Sequence, residues 1–384
     1  MAESPATTER SGGVPRWLRL LLVLGFLYLF LVGVKGLETG IKVFGADTAE
    51  RIFGYVSSPV AGLFAGILAT VLVQSSSVTT STIVGLVGSG SLSVAAAVPM
   101  IMGANIGTTV TNTLASLGHV RRGAEFRRAF AGATVHDFFN VFAVLLFLPL
   151  ELATGFLSRS ASALSSALAG SEAVAGAAPG TSPIKSAIKA PVKLIEGGMT
   201  DLGLHAGWLG ALLLALSLAL IFLALVLITR NMRIVMAGRM EAGFNAVLGR
   251  GAGVGAMILG VVVTVAVQSS SITTSILVPL LGAGVITLEN AYPVTLGANL
   301  GTTVTALLAS LAADRPEALT IALTHTLFNV FGILVFYPLP AVRRLPMRAA
   351  RALAEVATRR KRVVVAYLVF VFVVVPLVGI VVFR

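Results

Sequence analysis

The chain carries the same passage twice. Val73-Gln74-Ser75-Ser76-Ser77-Val78-Thr79-Thr80-Ser81 returns as Val267-Gln268-Ser269-Ser270-Ser271-Ile272-Thr273-Thr274-Ser275. Gly103-Ala104-Asn105-Ile106-Gly107-Thr108-Thr109-Val110-Thr111 returns as Gly297-Ala298-Asn299-Leu300-Gly301-Thr302-Thr303-Val304-Thr305. Both pairs keep one offset of 194 positions, 74 to 268 and 103 to 297. A third pair, His136…Asn140-Val141-Phe142 and His325…Asn329-Val330-Phe331, follows in the same order at an offset of 189. Three ordered matches mark a duplication, and a duplicated chain folds into two related halves.

Both copies are embedded in apolar sequence. Of the 384 residues, 56% are apolar and 11% charged, with a mean hydropathy of +0.95. Soluble domains carry about 25% charged residues, so this composition excludes an ordinary soluble enzyme and a disordered chain. It predicts an all-α integral membrane protein. The absence of cysteine excludes disulfides, thiolate catalysis and Cys-ligated metals. Apolar stretches at 17–34, 129–150, 207–228, 318–339 and 363–383 each reach the ~20 residues needed to cross a core of about 30 Å. No small-x-small cleavage site follows the first stretch, so it reads as a retained helix. Between the spans, 52–118 and 249–312 are apolar but broken by Gly, Pro, Ser, Thr and Asn. That pattern predicts discontinuous helices and re-entrant hairpins.

The resulting organisation is a disordered tail at 1–15, a first transmembrane helix and external connection at 16–50, and repeat 1 at 51–150. An external linker at 151–206, rich in Ala, Ser and Gly, leads to a connecting span and cytoplasmic loop at 207–248. Repeat 2 occupies 249–340, and a basic cytoplasmic segment with the last span occupies 341–384.

The net charge of +12 raises nucleic acid as a partner, and the placement of the charges removes it. Basic residues gather at Arg121, Arg122, Arg127 and Arg128, at Arg230, Arg233 and Arg239, and between Arg343 and Arg362. By the positive-inside rule these clusters are cytoplasmic, in contact with anionic lipid. The chain is then a plasma-membrane protein with its N-terminus inside and its C-terminus outside. Repeat 1 begins outside near Arg51 and turns inside at 121–128, whereas repeat 2 begins inside near Arg250 and turns outside at 313–317. The two copies are thus expected to have inverted topology, with a binding site near the midplane between them.

A glutamine and three serines in an apolar stretch must find partners, or each polar group loses free energy. The plain alternative is helix–helix adhesion by small hydroxyl residues. If the chain instead unwinds at Gln74-Ser75 and at Gln268-Ser269, free backbone N–H groups and hydroxyls converge on one spot. A helix N-terminus carries roughly half a positive charge, which attracts an anion. Two facing copies would clasp one small oxyanion, and their side-chain oxygens also suit Na+. Gly107 and Gly301 are read as permitting tight turns, with Asn105, Asn299 and the following threonines offering oxygens. Asp137 is a carboxylate at membrane depth with no counterpart, since Thr326 takes its place; such a residue is a functional hypothesis by default. It is what an extra cation site would need, the alternative being that it pairs with His136 or a buried Arg. His136 and His325 read as packing residues. No nucleophile elbow, metal-ligand spacing or phosphate-binding loop is present, so catalysis is not expected.

With the stretch Arg127-Arg128-Ala129-Phe130-Ala131-Gly132-Ala133-Thr134-Val135-His136-Asp137-Phe138-Phe139-Asn140, the doubled Gln-Ser-Ser-Ser resembles the type II sodium–phosphate cotransporter family. The resemblance runs from about Gly40 to the last helix and looks like that of a compact bacterial member, without the long tails and external-loop cysteines of animal relatives. It implies phosphate import driven by sodium, with no organic cofactor and Na+ as the coupling ion. Gln74, Ser75, Ser76, Ser77, Gln268, Ser269, Ser270 and Ser271 would surround the phosphate, with Asn105 and Asn299 beside them. Gln268, Ser269, Thr302 and Thr305 match a sodium site, and Thr108 and Thr111 hold the equivalent places in repeat 1. Asp137 and Asn140 match a further cation site of electrogenic members. His119 and Arg122 stand where animal members have Gln and Asp, Ala298 replaces a Ser, and the family's additional last helix is missing. The expected function is sodium-coupled phosphate import by alternating access. The alternatives are a carrier of another oxyanion or a dicarboxylate, and a passive anion channel.

Overall fold

The computed structural model describes residues 14–44, 58–169, 183–248 and 253–384, and within them every regular element is helical. Among the described residues, seven helices are long and apolar enough to cross a membrane: Arg16–Phe44, Val94–His119, Gly123–Thr154, Ala206–Met236, Leu288–Ala312, Glu317–Phe336 and Arg362–Phe383. The chain is an all-α, multi-pass membrane protein. Residues 1–13 of the expected tail and the expected repeat starts near Arg51 and Arg250 lie outside the described residues.

Helix α1 (Arg16–Phe44) continues well past the expected end of the first span. Leu31, Val34, Leu37 and Ile41 keep a helical apolar spacing, and the charges within it are matched. Buried Lys35 donates to Glu38 at 2.9 Å and to Asp314 at 2.5 Å, and Lys42 reaches the other Glu38 oxygen at 2.5 Å. Burial of such charges is tolerable only when they are paired in this way.

Repeat 1 comprises α2 (Pro59–Val73), α3 (Ser76–Ser89), α4 (Val94–Gly107), α5 (Val110–Ser116), a 3-10 turn (Leu117–His119) and α6 (Gly123–Thr154). Two further helices, α7 (Phe156–Ala169) and α8 (Pro183–Asp201), stand within the segment expected to be an external linker. Alanine favours helix, Pro183 suits a first helical turn, and buried Leu157, Ala161, Ile188 and Val192 hold the pair against the bundle. Residues 170–182 of that segment lie outside the described residues. Helix α9 (Ala206–Leu248) packs along α1 and leads to repeat 2. There α10 (Val254–Val267), α11 (Ser270–Ser275), α12 (Leu277–Ala283), α13 (Leu288–Ala312) and α14 (Glu317–Phe336) follow. The chain ends with α15 (Pro340–Arg359), an amphipathic basic helix packed on α6, then α16 (Arg362–Val369), a π-turn (Phe370–Val374) and α17 (Val375–Phe383).

Close packing explains the repeated glycines. A side chain at Gly103 would collide with the Leu63 carbonyl oxygen, and one at Gly297 with that of Met257. Gly107 and Gly301 were expected to make turns, yet neither has a positive φ, and Gly301 lies inside α13. They press instead against Thr70 and Thr264. Each copy also packs on the other: α3 lies against α13 and α14, while α11 and α12 lie against α5, and α12 also against α6. The rings of Phe139 and Phe336 sit 6.1 Å apart, and those of Phe147 and Phe328 also 6.1 Å apart. The offset of 189 turns one pair into the other with the copies exchanged, the pattern of a twofold contact.

Candidate functional site

The site begins as two identical interruptions of helix. Gln74 ends α2 at φ 56° and Gln268 ends α10 at φ 57°, the only non-glycine residues at positive φ among the described ones. This left-handed backbone costs roughly 1–2 kcal/mol for a residue with a Cβ, and it persists where the surroundings enforce it. Each glutamine amide donates back into its own helix, Gln74 to the Val71 carbonyl at 2.5 Å and Gln268 to that of Val265 at 2.6 Å. Each carbonyl oxygen accepts from a threonine of the second motif, Thr111 at 3.2 Å and Thr305 at 2.9 Å. Ser75 and Ser269 are extended and cap the restarting helices, accepting from Val78 and Ile272.

Both interruptions line one cavity of about 350 Å³, so the two Gln-Ser-Ser-Ser passages meet although 194 positions separate them. Gln74, Ser75, Ser76, Ser77, Gln268, Ser269, Ser270 and Ser271 all contribute to it, and α9 closes a further side. The arrangement presents hydroxyl and amide groups to a small polar ligand, with no carboxylate in the lining.

The other expected residues divide. Thr111 and Thr305 touch the cavity's glutamines, whereas Thr108 and Thr302 are buried and donate to Ala104 and Ala298 carbonyls at 2.9 and 3.0 Å. Asn105 and Asn299, expected beside the anion, do not line the cavity. They belong to a buried network in which Asn299 donates to Asn140 at 2.9 Å and to Asn329 at 2.6 Å. Asn140 donates to the Asn105 carbonyl at 2.9 Å, and His325 pairs with the Asn105 side chain at 3.1 Å. The network matches the amides of Asn140, Asn299 and Asn329 with one another or with a carbonyl, but it leaves the Asn105 Nδ2 without a protein partner. Asp137 and Asn140 are both buried; one Asp137 oxygen accepts from Tyr367 at 2.7 Å and the other has no protein partner.

Several residues escaped sequence reasoning. Tyr367 comes from α16, in the last span, and gives no local signal of its partner. Asn112 of α5 donates to Thr274 at 2.7 Å and accepts from Ser275 at 3.1 Å, tying the copies together beside the cavity. Its absence from repeat 2, where Ala306 stands, was readable from the alignment of the copies. Arg230 and Arg233 appeared as topology markers, yet both line the cavity.

A multi-pass helical chain with a duplicated polar cavity among its spans belongs to the class of membrane transport proteins. More particularly, the chain belongs to the Na+/Pi-cotransporter family, which matches residues 29–170 and 220–351. It is 38% identical to the sodium-dependent phosphate transport protein 2A of sheep, over 94% of this chain and 67% of that one. It is 39% identical to the rat 2A protein, over 94% and 67%, and 35% identical to the human 2B protein, over 94% and 64%. No solved structure matches. These relatives are mammalian, which overturns the expectation of a bacterial member; what stands is membership in the family. The family is one of cotransporters, not enzymes.

Proposed function

We propose that this chain is a sodium-coupled symporter that brings inorganic phosphate across the plasma membrane by alternating access. The observation that carries this is the single cavity shared by both Gln-Ser-Ser-Ser passages. Divalent phosphate is compact and almost wholly a hydrogen-bond acceptor, and serine hydroxyls and backbone N–H groups at the start of α3 supply donors. Sodium needs oxygen ligands, and Gln268, Ser269, Thr302 and Thr305 supply them in repeat 2, with Thr108 and Thr111 in the equivalent places. The hydroxyl protons of Thr302 and Thr305 are already donated, to Ala298 and to Gln268; their oxygen lone pairs remain for a cation. The bound cation offsets phosphate charge that no arginine inside the motifs can meet.

An inverted-repeat architecture with re-entrant hairpins is supported by the paired helix interruptions, by the exchanged phenylalanine pairs and by the opposite charge of the two turns. In it, repeat 1 spans 51–150 and repeat 2 spans 249–340, with the N-terminus cytoplasmic and the C-terminus external. Asn105, Asn299 and Asn140 link the copies at the centre, so that rearranging one reports to the other. Asp137, with a free buried oxygen, takes a further sodium and makes transport electrogenic. One elementary charge moved through 100 mV couples about 2.3 kcal/mol to uptake.

Uptake of radiolabelled phosphate into proteoliposomes tests this, with an inward sodium gradient, a potassium control and the membrane potential clamped at either sign. Sodium-dependent uptake that rises with inside-negative potential is expected. Folded protein that moves phosphate equally well in potassium would mean a passive pathway, and no phosphate movement at all would mean another substrate.

A further inference from the structure

The third wall of the cavity holds charge that the motifs do not explain. Phe222, Val226, Thr229, Arg230 and Arg233 of α9 line it, at spacings that place them on one helix face. That face is apolar over its first turns and cationic over its last. Arg230 and Arg233 are exposed, and neither has a hydrogen bond or ion pair among the described residues. Three other arginines of the basic clusters are matched, by contrast: Arg127 to Glu355, Arg351 to Glu289, and Arg122 to Glu125. No acidic residue lines the cavity. Two unmatched guanidinium groups facing a partly enclosed space raise its positive potential, and their planar forks fit oxyanion oxygens two at a time.

We propose that Arg230 and Arg233 form a second oxyanion subsite at the mouth of the cavity, onto which the phosphate dianion passes as it leaves the serine clasp. This rests on reading the cavity as the phosphate site. The clasp contains no fixed positive charge, so departure of sodium strips the anion of its counter-charge. The arginine pair receives the anion at that moment and shortens the step to water. Both residues belong to the basic cluster that the charge pattern assigns to the cytoplasm, which makes the subsite an exit. Its loss therefore slows turnover and leaves capture from outside intact.

The test uses full-length protein in proteoliposomes, with two readouts. In the first, Arg230→Gln/Arg233→Gln is compared with wild type and with Arg230→Lys/Arg233→Lys. A fall of about tenfold in maximal sodium-dependent phosphate uptake is expected for the glutamine variant, with external KM unchanged and the lysine variant in between. The second needs no variant: arginines of the wild-type protein are modified with phenylglyoxal and mapped by mass spectrometry, with and without inorganic phosphate and with sodium absent. Phosphate should shield Arg230 and Arg233 but not Arg239. Equal labelling with and without phosphate, in protein that transports phosphate, overturns the subsite and leaves the proposed function standing. Unchanged maximal uptake in the glutamine variant overturns it likewise. Wild-type protein without phosphate uptake refutes the proposed function instead, and shielding of the pair by inorganic phosphate would still uphold an oxyanion subsite.

Discussion

The two copies share a motif and its backbone, yet they break in different places. In repeat 1 the helix after the glutamine, α3, runs unbroken from Ser76 to Ser89, while the next one divides between Gly107 and Val110. In repeat 2 the helix after the glutamine divides at Ile276, and α13 runs straight from Leu288 to Ala312. Pro279 accounts for the second break, because it lacks an N–H and crowds the carbonyl four residues earlier, at Ser275. The equivalent residue in repeat 1 is Gly85. For the first break, the relevant difference is Asn112, which fastens the short α5 to Thr274 and Ser275 of the opposite copy. Repeat 2 has Ala306 there, and Ser81, the counterpart of Ser275, is left buried without a partner. What the copies keep in common is therefore the cavity; what they vary is how each is fastened to the rest.

The largest effect should come from breaking the common part. Gln74→Leu and Gln268→Leu each remove an amide that organises the clasp, and sodium-dependent phosphate uptake should fall about 10- to 100-fold. Because Gln268 also belongs to the proposed sodium site, its variant should in addition demand more sodium for half-maximal uptake. A Gln74→Leu protein with full activity would show that one copy suffices.

The next comparison concerns the carboxylate that repeat 2 lacks. Asp137→Asn should keep phosphate uptake but make it indifferent to membrane potential, a loss worth about 2.3 kcal/mol of driving force per charge at 100 mV. Current recordings with phosphate pulses check this, and an undiminished current would return the charge movement to other groups.

Asn112→Ala makes repeat 1 resemble repeat 2 at the fastening point. It strips partners from Thr274 and Ser275 at a buried place, so thermal stability in detergent should drop by about 1–3 kcal/mol. A variant that melts with wild type would mean that water replaces the asparagine.

The smallest effect lies at the turn after α13. Burial raises the Asp314 carboxyl, but the ammonium groups of Lys35 and Lys189 outweigh it and hold the group well below the usual carboxylate range. A depressed folded value adds stability above the unfolded carboxylate range and loses it as pH falls toward the folded one. Asp314→Asn should therefore melt slightly lower than wild type near neutral pH, and the gap should close on acidification. A gap that widens in acid would contradict that sign.

Much of this protein was legible before folding was considered. Repetition of Gln74–Ser77 at Gln268–Ser271 announced a paired site, and both passages do line one cavity. The apolar runs announced a multi-pass helical chain. Other features were local and still missed: the helical spacing from Leu31 to Ile41 carried α1 through Lys35 and Glu38, past the end of the uninterrupted apolar run at 34. Alanine-rich 156–169 was helix, although its composition also fits a linker.

The sequence by itself determined the membrane class, the duplication and the two polar passages that line one cavity, because these depend on composition and on short spacings within one copy. Tertiary structure decided the partners, Tyr367 with Asp137, Asn112 with Thr274 and Lys35 with Asp314, and it brought Arg230 and Arg233 into the lining of the serine cavity. Each of these joins residues far apart in the chain. Helical periodicity says which face a side chain occupies, and only the packing of one helix on another says what that face meets.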